Sequence, residues 1–165
     1  METAKRIDNK IFLDSRGSFS PLSLKILNKE WVQSNISFNP KKYTLRGLHF
    51  QKGDSAQSKL IKVINGKILD FVIDIRNDIQ EEEILFFEMK AGDEIIVPKG
   101  YAHGFITIEE NTVVQYLVDN DYNPKSEGSL VWTNFPKIEE KIKLIEPFFD
   151  KNMVIISDKD LVTKY

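Results

Sequence analysis

The stretch "SKLIKVINGKILDFVIDIR", Ser58–Arg76, constrains the fold more than any other part of the chain. Two runs rich in isoleucine, valine and phenylalanine meet at Asn65-Gly66, and that dipeptide between β-branched runs predicts a two-residue type I′ hairpin. Side chains alternate between faces along a strand. A two-residue loop then pairs Ile64 with Lys67, Val63 with Ile68, Ile61 with Asp70 and Lys59 with Val72. One face carries Lys59, Ile61, Val63, Ile68, Asp70 and Val72; the other carries Leu60, Lys62, Ile64, Lys67, Leu69, Phe71 and Ile73. Both faces are mainly apolar. A sheet of that kind must be covered on both sides, by a second sheet, a barrel interior or a subunit.

Other segments repeat the signal. "DEIIVPKG", Asp93–Gly100, reads as a strand closed by a proline-containing turn. "HGFITIEENTVVQYLV", His103–Val118, reads as a second hairpin turning at Glu109–Thr112, with Phe105 opposite Tyr116 and His103 opposite Val118. An even loop places His103, Phe105, Thr107, Val114, Tyr116 and Val118 on one face. Short strands separated by turn signals predict an all-β sandwich or barrel that dimerises. A helix is expected over Ser23–Gln33, and "KIEEKIKLI" after Pro136 suits a short helix or a strand. The 165 residues contain no internal repeat and no linker, so one domain is expected over 1–165, with 136–165 packing over the barrel.

Charge and composition remove several function classes. The net charge of −2 gives no electrostatic case for nucleic acid or an anionic membrane. No apolar run approaches the ~18 residues of a membrane span. The start, METAKRIDNK, lacks the apolar core of a signal peptide, and with no cysteine in the chain a cytoplasmic setting is expected. There is no P-loop, no G-x-S-x-G and no G-x-G-x-x-G.

Against that background the polar residues on apolar faces stand out. "TLRGLHFQ", Thr44–Gln51, sets Arg46 and His49 among leucines and a phenylalanine. Lys59, Asp70, His103 and Tyr116 join them on faces read as interior. Such groups are costly to bury unless paired or hydrogen-bonded. Any one of them alone is most simply a satisfied structural group. Six in one small barrel point to a ligand cavity. Two histidines with carboxylates are compatible with iron, manganese or zinc, but His49 and His103 form no His-x-His or His-x-x-x-His pair.

Several stretches together are similar to one family. "DSRGSF" (Asp14–Phe19), "VQSNISF" (Val32–Phe38), "LRGLHFQ" (Leu45–Gln51), Gln57–Arg76, "VPKGYAHGF" (Val97–Phe105) and "QYLVDNDYNPKSEGSLVW" (Gln115–Trp132) resemble the dTDP-4-dehydrorhamnose 3,5-epimerases, with a weaker likeness at "ISDKD" (Ile156–Asp160). The resemblance implies a cupin-type jelly roll with short helices near both ends, working as a homodimer without metal or cofactor. It implies as substrate a nucleotide-diphosphate 4-keto-6-deoxysugar, whose C3 and C5 protons are acidified by the C4 ketone. On this resemblance His49 is the base, Lys59 stabilises the oxyanion, Tyr116 is the acid, and Asp160 orients His49. Asp70 and His103 form a supporting pair. Arg16 and Arg46 hold the diphosphate, while Phe19, Gln33, Asn35 and Tyr122 contact the nucleotide sugar. After Trp132 the family continues with Asn-Asp-Pro, whereas this chain reads "TNFPKIEEK". The alternatives are a single-position epimerase, a 3,4-ketoisomerase, a non-catalytic sugar-binding cupin, or a metal-dependent cupin enzyme.

Overall fold

Asn65-Gly66 turns the chain, but not into a hairpin. The computed structural model describes residues 2–21, 29–77, 79–80 and 83–164. Its strands are β1 (Lys5–Ile7), β2 (Phe12–Asp14), β3 (Gly17–Phe19), β4 (Gln33–Asn39), β5 (Leu45–Gln51) and β6 (Lys59–Asn65). They continue with β7 (Lys67–Asp74), β8 (Leu85–Lys90), β9 (Glu94–Val97), β10 (Tyr101–Thr107), β11 (Thr112–Val118) and β12 (Glu127–Ser129), followed by one α-helix, α1 (Pro136–Ile145). Two five-stranded sheets have the orders β1-β9-β6-β11-β4 and β12-β5-β10-β7-β8, and β2-β3 forms a small ribbon. Strands β6 and β7 therefore lie in different sheets, and the turn between them is an arch across the sandwich. The same correction applies to His103–Val118: β10 pairs with β5 and β7, whereas β11 pairs with β4 and β6.

The expected pairings fail, yet the expected faces hold. Ile61, Val63, Ile68 and Val72 share one buried cluster with Ile95, Phe105 and Val114 between the sheets. An arch and a hairpin preserve the same two-residue parity, so the inward set is unchanged whichever one forms. What decides between them is coverage. The outer face of β7 carries Leu69, Phe71 and Ile73, which pack with Trp132, Phe135, Ile138 and Ile142 of the C-terminal segment. The outer face of β6 buries Leu60 with Ile96 and Leu117, against Ile7 and Trp31. Each strand thus meets its own cover, which a single two-stranded ribbon would have to share. Gly66, at φ +82°, is required at the arch because a Cβ there would lie 2.3 Å from Thr112 Oγ1.

"KIEEKIKLI" forms part of α1. Pro136 occupies the first turn, where its missing N–H costs nothing, and Ile138 and Ile142 are buried at i, i+4 spacing. The expected helix over Ser23–Gln33 lies, for residues 23–28, outside the described residues; residues 29–32 are not helical and Gln33 opens β4. Among the described residues no helix is long and apolar enough to cross a membrane.

Candidate active site

In "TLRGLHFQ" a bulge decides which side chains face inward. Between β5 and β10 His49 stands opposite His103 and Arg46 opposite Phe105, so Gly47 and Leu48 together face the single Gly104. An odd spacing would normally put Arg46 and His49 on opposite faces; one extra residue puts both on the interior face. Leu45, Leu48 and Phe50 stay with the outer core. Glycine is needed at 47, where φ is +102° and a Cβ would come within 2.5 Å of the His103 carbonyl oxygen.

One region between the sheets is filled by apolar side chains such as Ile61, Val63, Ile68 and Ile95. The other holds a cavity of about 580 Å³ whose lining includes Arg46, His49, Lys59, His103, Tyr116, Tyr122 and Asp160. Five of these seven come from four different strands, and Asp160 arrives on a 3-10 turn, Asp158–Leu161. His49 Nε2 lies 2.7 Å from Asp160 Oδ1, and Gly47 N–H donates to Asp160 Oδ2 at 3.2 Å. Burial alone pushes the Asp160 carboxyl up; the hydrogen bond and charge of His49, with the Gly47 amide, outweigh it and hold the group below the usual carboxylate range. A carboxylate there fixes the proton on Nε2 and leaves the other ring nitrogen with its lone pair.

Lys59 is buried, and its ammonium donates to the His49 carbonyl oxygen at 3.1 Å. Burial lowers the Lys59 pKa to about 8, opposed by the charges of Asp70 and Glu127. Tyr116 stands on β11, in the sheet facing His49, and burial raises its phenol while Arg46 pulls it back. Arg46 Nε donates to Asn39 Oδ1 at 2.7 Å, which steers the guanidinium along the cavity wall. Behind these groups His103 Nε2 meets Asp70 Oδ2 at 2.7 Å, with Asp70 wholly buried and its Oδ1 without a partner.

Not every expected residue enters the cavity. Asn35 is in register with Tyr116 and Gln33 with Val118, so both project from the inward face of β4, yet neither lines the cavity, and Gln33 Nε2 donates to Asn35 Oδ1 at 2.6 Å. Arg16 and Phe19 belong to the β2–β3 ribbon, outside the cavity. Arg16 there pairs with Asp14 at 2.6 Å, and Phe19 rests on Phe12. Sequence reasoning missed Glu127 and Lys159 in the lining. Both are charged residues in loop-like sequence, where nothing in periodicity separates a cavity wall from solvent; only the neighbouring Asp160 marked the place. Among the described residues no three His, Cys, Asp or Glu side chains gather as a metal site would need.

A jelly-roll sandwich of the cupin type, open at one end onto a histidine, a lysine and a tyrosine, defines a cupin-type enzyme of small-molecule chemistry. The chain matches the family profile described as dTDP-4-dehydrorhamnose 3,5-epimerase over residues 1–165, and it belongs to that family. The dTDP-4-dehydrorhamnose 3,5-epimerase of Salmonella typhimurium is 33% identical over 137 residues, covering 78% of this chain and 75% of that one. The crystal structure of the Bacillus anthracis dTDP-4-dehydrorhamnose 3,5-epimerase with TDP and PPi bound superimposes with a TM-score of 0.78 at 32% identity, covering 98% of this chain and 93% of that one. The Legionella pneumophila enzyme, solved with dTDP-4-keto-L-rhamnose, superimposes with a TM-score of 0.77 at 28% identity, covering 95% and 84%.

Proposed function

We propose that the chain epimerises a dTDP-linked 4-keto-6-deoxyhexose at C3 and C5, through an enolate and without a metal ion, in deoxysugar biosynthesis of the dTDP-rhamnose type. The observation that carries this reading is the placement of His49, tied to Asp160, and Tyr116 on facing sheets of one cavity with Lys59 beside them. The free ring nitrogen of His49 takes the proton next to the ketone. The electron pair moves to the C4 oxygen, where the Lys59 ammonium meets the developing charge. Tyr116, kept neutral by its raised pKa, delivers a proton from the other side of the ring. Arg46 holds the diphosphate, since its planar fork suits phosphate oxygens in pairs. Tyr122 contacts the sugar at the cavity wall, and Asp70 with His103 supports the arrangement without transferring a proton.

The working unit in this reading is a homodimer in the cytoplasm. Ile36 and Phe38 on the outer side of β4 are 69% and 57% exposed, and a second copy would cover them. Arg16 and Phe19, outside their own cavity, would reach the nucleotide in that copy, with Gln33 and Asn35 at the rim between them. Sedimentation at the mass of one chain would remove this part of the proposal. The reaction is tested by incubating the protein with a dTDP-linked 4-keto-6-deoxyhexose in heavy water and following it by NMR. Deuterium is expected at both C3 and C5. Incorporation at one centre makes the chain a single-position epimerase, and incorporation at neither defeats the reading.

A further inference from the structure

Residues 10–19 are all exposed, and the β2–β3 ribbon lies within them. The two ends of that stretch are different. Asn9 before it and Ser20 after it are half-buried and meet each other, with Asn9 Nδ2 donating to Ser20 Oγ at 2.6 Å. Both sit on an ion pair set in the outer face of the β1-β9-β6-β11-β4 sheet. Lys62 on β6 and Glu94 on β9 stand opposite one another in register, are 7% and 2% exposed, and bring Nζ and Oε1 to 2.7 Å. The Lys62 ammonium also donates to Ser20 Oγ at 2.9 Å and to the Ser20 carbonyl at 3.3 Å, and Asn9 Nδ2 donates to Glu94 Oε1 at 2.7 Å. Among the described residues, every hydrogen bond that joins residues 9–20 to the sandwich runs through Asn9 or Ser20.

A buried ion pair of this kind is poorly explained as a device for stability. Taking two charges out of water gains little over an apolar pair of similar volume, and the best-attested use of such a pair is to fix one arrangement among several. The arrangement fixed here is that of the ribbon's root. An ammonium has three protons, and those of Lys62 meet Glu94, the Ser20 hydroxyl and the Ser20 carbonyl. Ser20 can satisfy two of them only in one orientation, and Asn9 must then bridge Ser20 and Glu94. Apolar contact would not set a direction in this way, because dispersion and burial are non-directional. Beyond the root Phe12 pairs with Phe19 and Asp14 with Gly17, so the ribbon carries Arg16 at its tip, where that side chain is 88% exposed. The direction in which the root leaves the sheet therefore decides where Arg16 and Phe19 arrive.

We infer that Lys62 and Glu94, gripping Ser20 and Asn9, clamp the root of the ribbon and so place Arg16 and Phe19 for the nucleotide held by the second copy. This rests on the reading that the ribbon reaches that copy's cavity. All four are positioning residues: none of them lines the cavity, and they act on the nucleotide only through the ribbon.

The double change Lys62→Met with Glu94→Leu removes both charges at similar volume and strands neither. Binding of dTDP is measured by calorimetry, and turnover of a dTDP-linked 4-keto-6-deoxyhexose is measured at saturation. The Kd for dTDP should rise by about tenfold or more while saturated turnover falls by no more than about twofold, the pattern of lost uniform binding. That rise should disappear in protein already carrying Arg16→Ala and Phe19→Ala, where the ribbon has nothing left to place. A merely structural role would give the same rise in both backgrounds. An unchanged Kd overturns the inference, and so does an equal rise with and without the ribbon changes. Should the Lys62/Glu94 variant not fold, Asn9→Ala with Ser20→Ala keeps the ion pair, removes the side chains it grips, and is read in the same way. Failure of the underlying reading is seen separately: Arg16→Ala with Phe19→Ala would by itself leave dTDP binding unchanged, and the clamp would then have no nucleotide contact to serve.

Discussion

His49–Asp160 and His103–Asp70 are the same bond, 2.7 Å in each, made in two different settings. The His49 side chain is 27% exposed and lines the cavity, and its carboxylate partner has both oxygens satisfied. The His103 side chain is 9% exposed, and its partner Asp70 is wholly buried with one oxygen unpaired. Burial pushes the Asp70 carboxyl up, and His103 and Lys59 push it back down. The first pair is therefore equipped to exchange a proton with a ligand and with water. The second is equipped to balance charge in a closed interior, with His103 on one side of the carboxylate and the field of Lys59 on the other. Identical chemistry is divided into two roles by access alone.

Substitution should separate the two pairs. His49→Ala removes the base, so turnover should fall by about 10²–10⁴-fold; Asp160 keeps the Gly47 amide as a partner, so the loss of stability should be smaller than in His103→Ala. His103→Ala instead strands a buried carboxylate, which should cost about 3–5 kcal/mol of folding free energy, read as a lower denaturant midpoint. Its turnover, measured where it is folded, should drop far less than that of His49→Ala. A folded His103→Ala protein as inactive as His49→Ala would break the comparison and give both pairs to the proton transfer.

This division was only partly legible in the sequence. The interior faces of β6, β7, β10 and β11 could be read from two-residue alternation, because parity survives whether the turn makes a hairpin or an arch. Which sheet each strand joins could not, since Asn65-Gly66 serves both geometries and the choice rests on covers from distant segments such as Trp132 and Ile142. The bulge at Gly47 was visible only as an oddity, an arginine and a histidine three apart among core residues. Glu127, which opens the short strand β12, and Lys159, on the 3-10 turn, left no trace, for a charged residue in turn-rich sequence has the same signature on a cavity wall as in solvent. Arg16 and Phe19 carry the family pattern, but their surroundings within one chain are the ribbon and nothing of the cavity.

The smallest effect, and the sharpest test of how the buried pair serves the open one, is the pH dependence set by Lys59. Burial brings its pKa from 10.5 down to about 8, with Asp70 and Glu127 opposing that shift. The enolate needs the ammonium, which is present below pH about 8 and lost above it, so turnover should decline by about tenfold per pH unit beyond that point. The phenols of Tyr116 and Tyr122 are raised by burial and the Asp160 carboxyl is lowered, so none of these three titrates in the window. Stability moves the other way. The folded value lies below the unfolded one, so between about 8 and 10.5 the unfolded chain binds more protons and this lysine makes folding more favourable as pH rises. An activity loss accompanied by constant or rising stability can then be assigned to the ammonium rather than to unfolding. Asp70→Asn removes one of the charges that hold the proton on Lys59, and the midpoint of the turnover profile should move to lower pH; a midpoint unmoved by that change would detach Asp70 from Lys59 and leave it a partner of His103 alone.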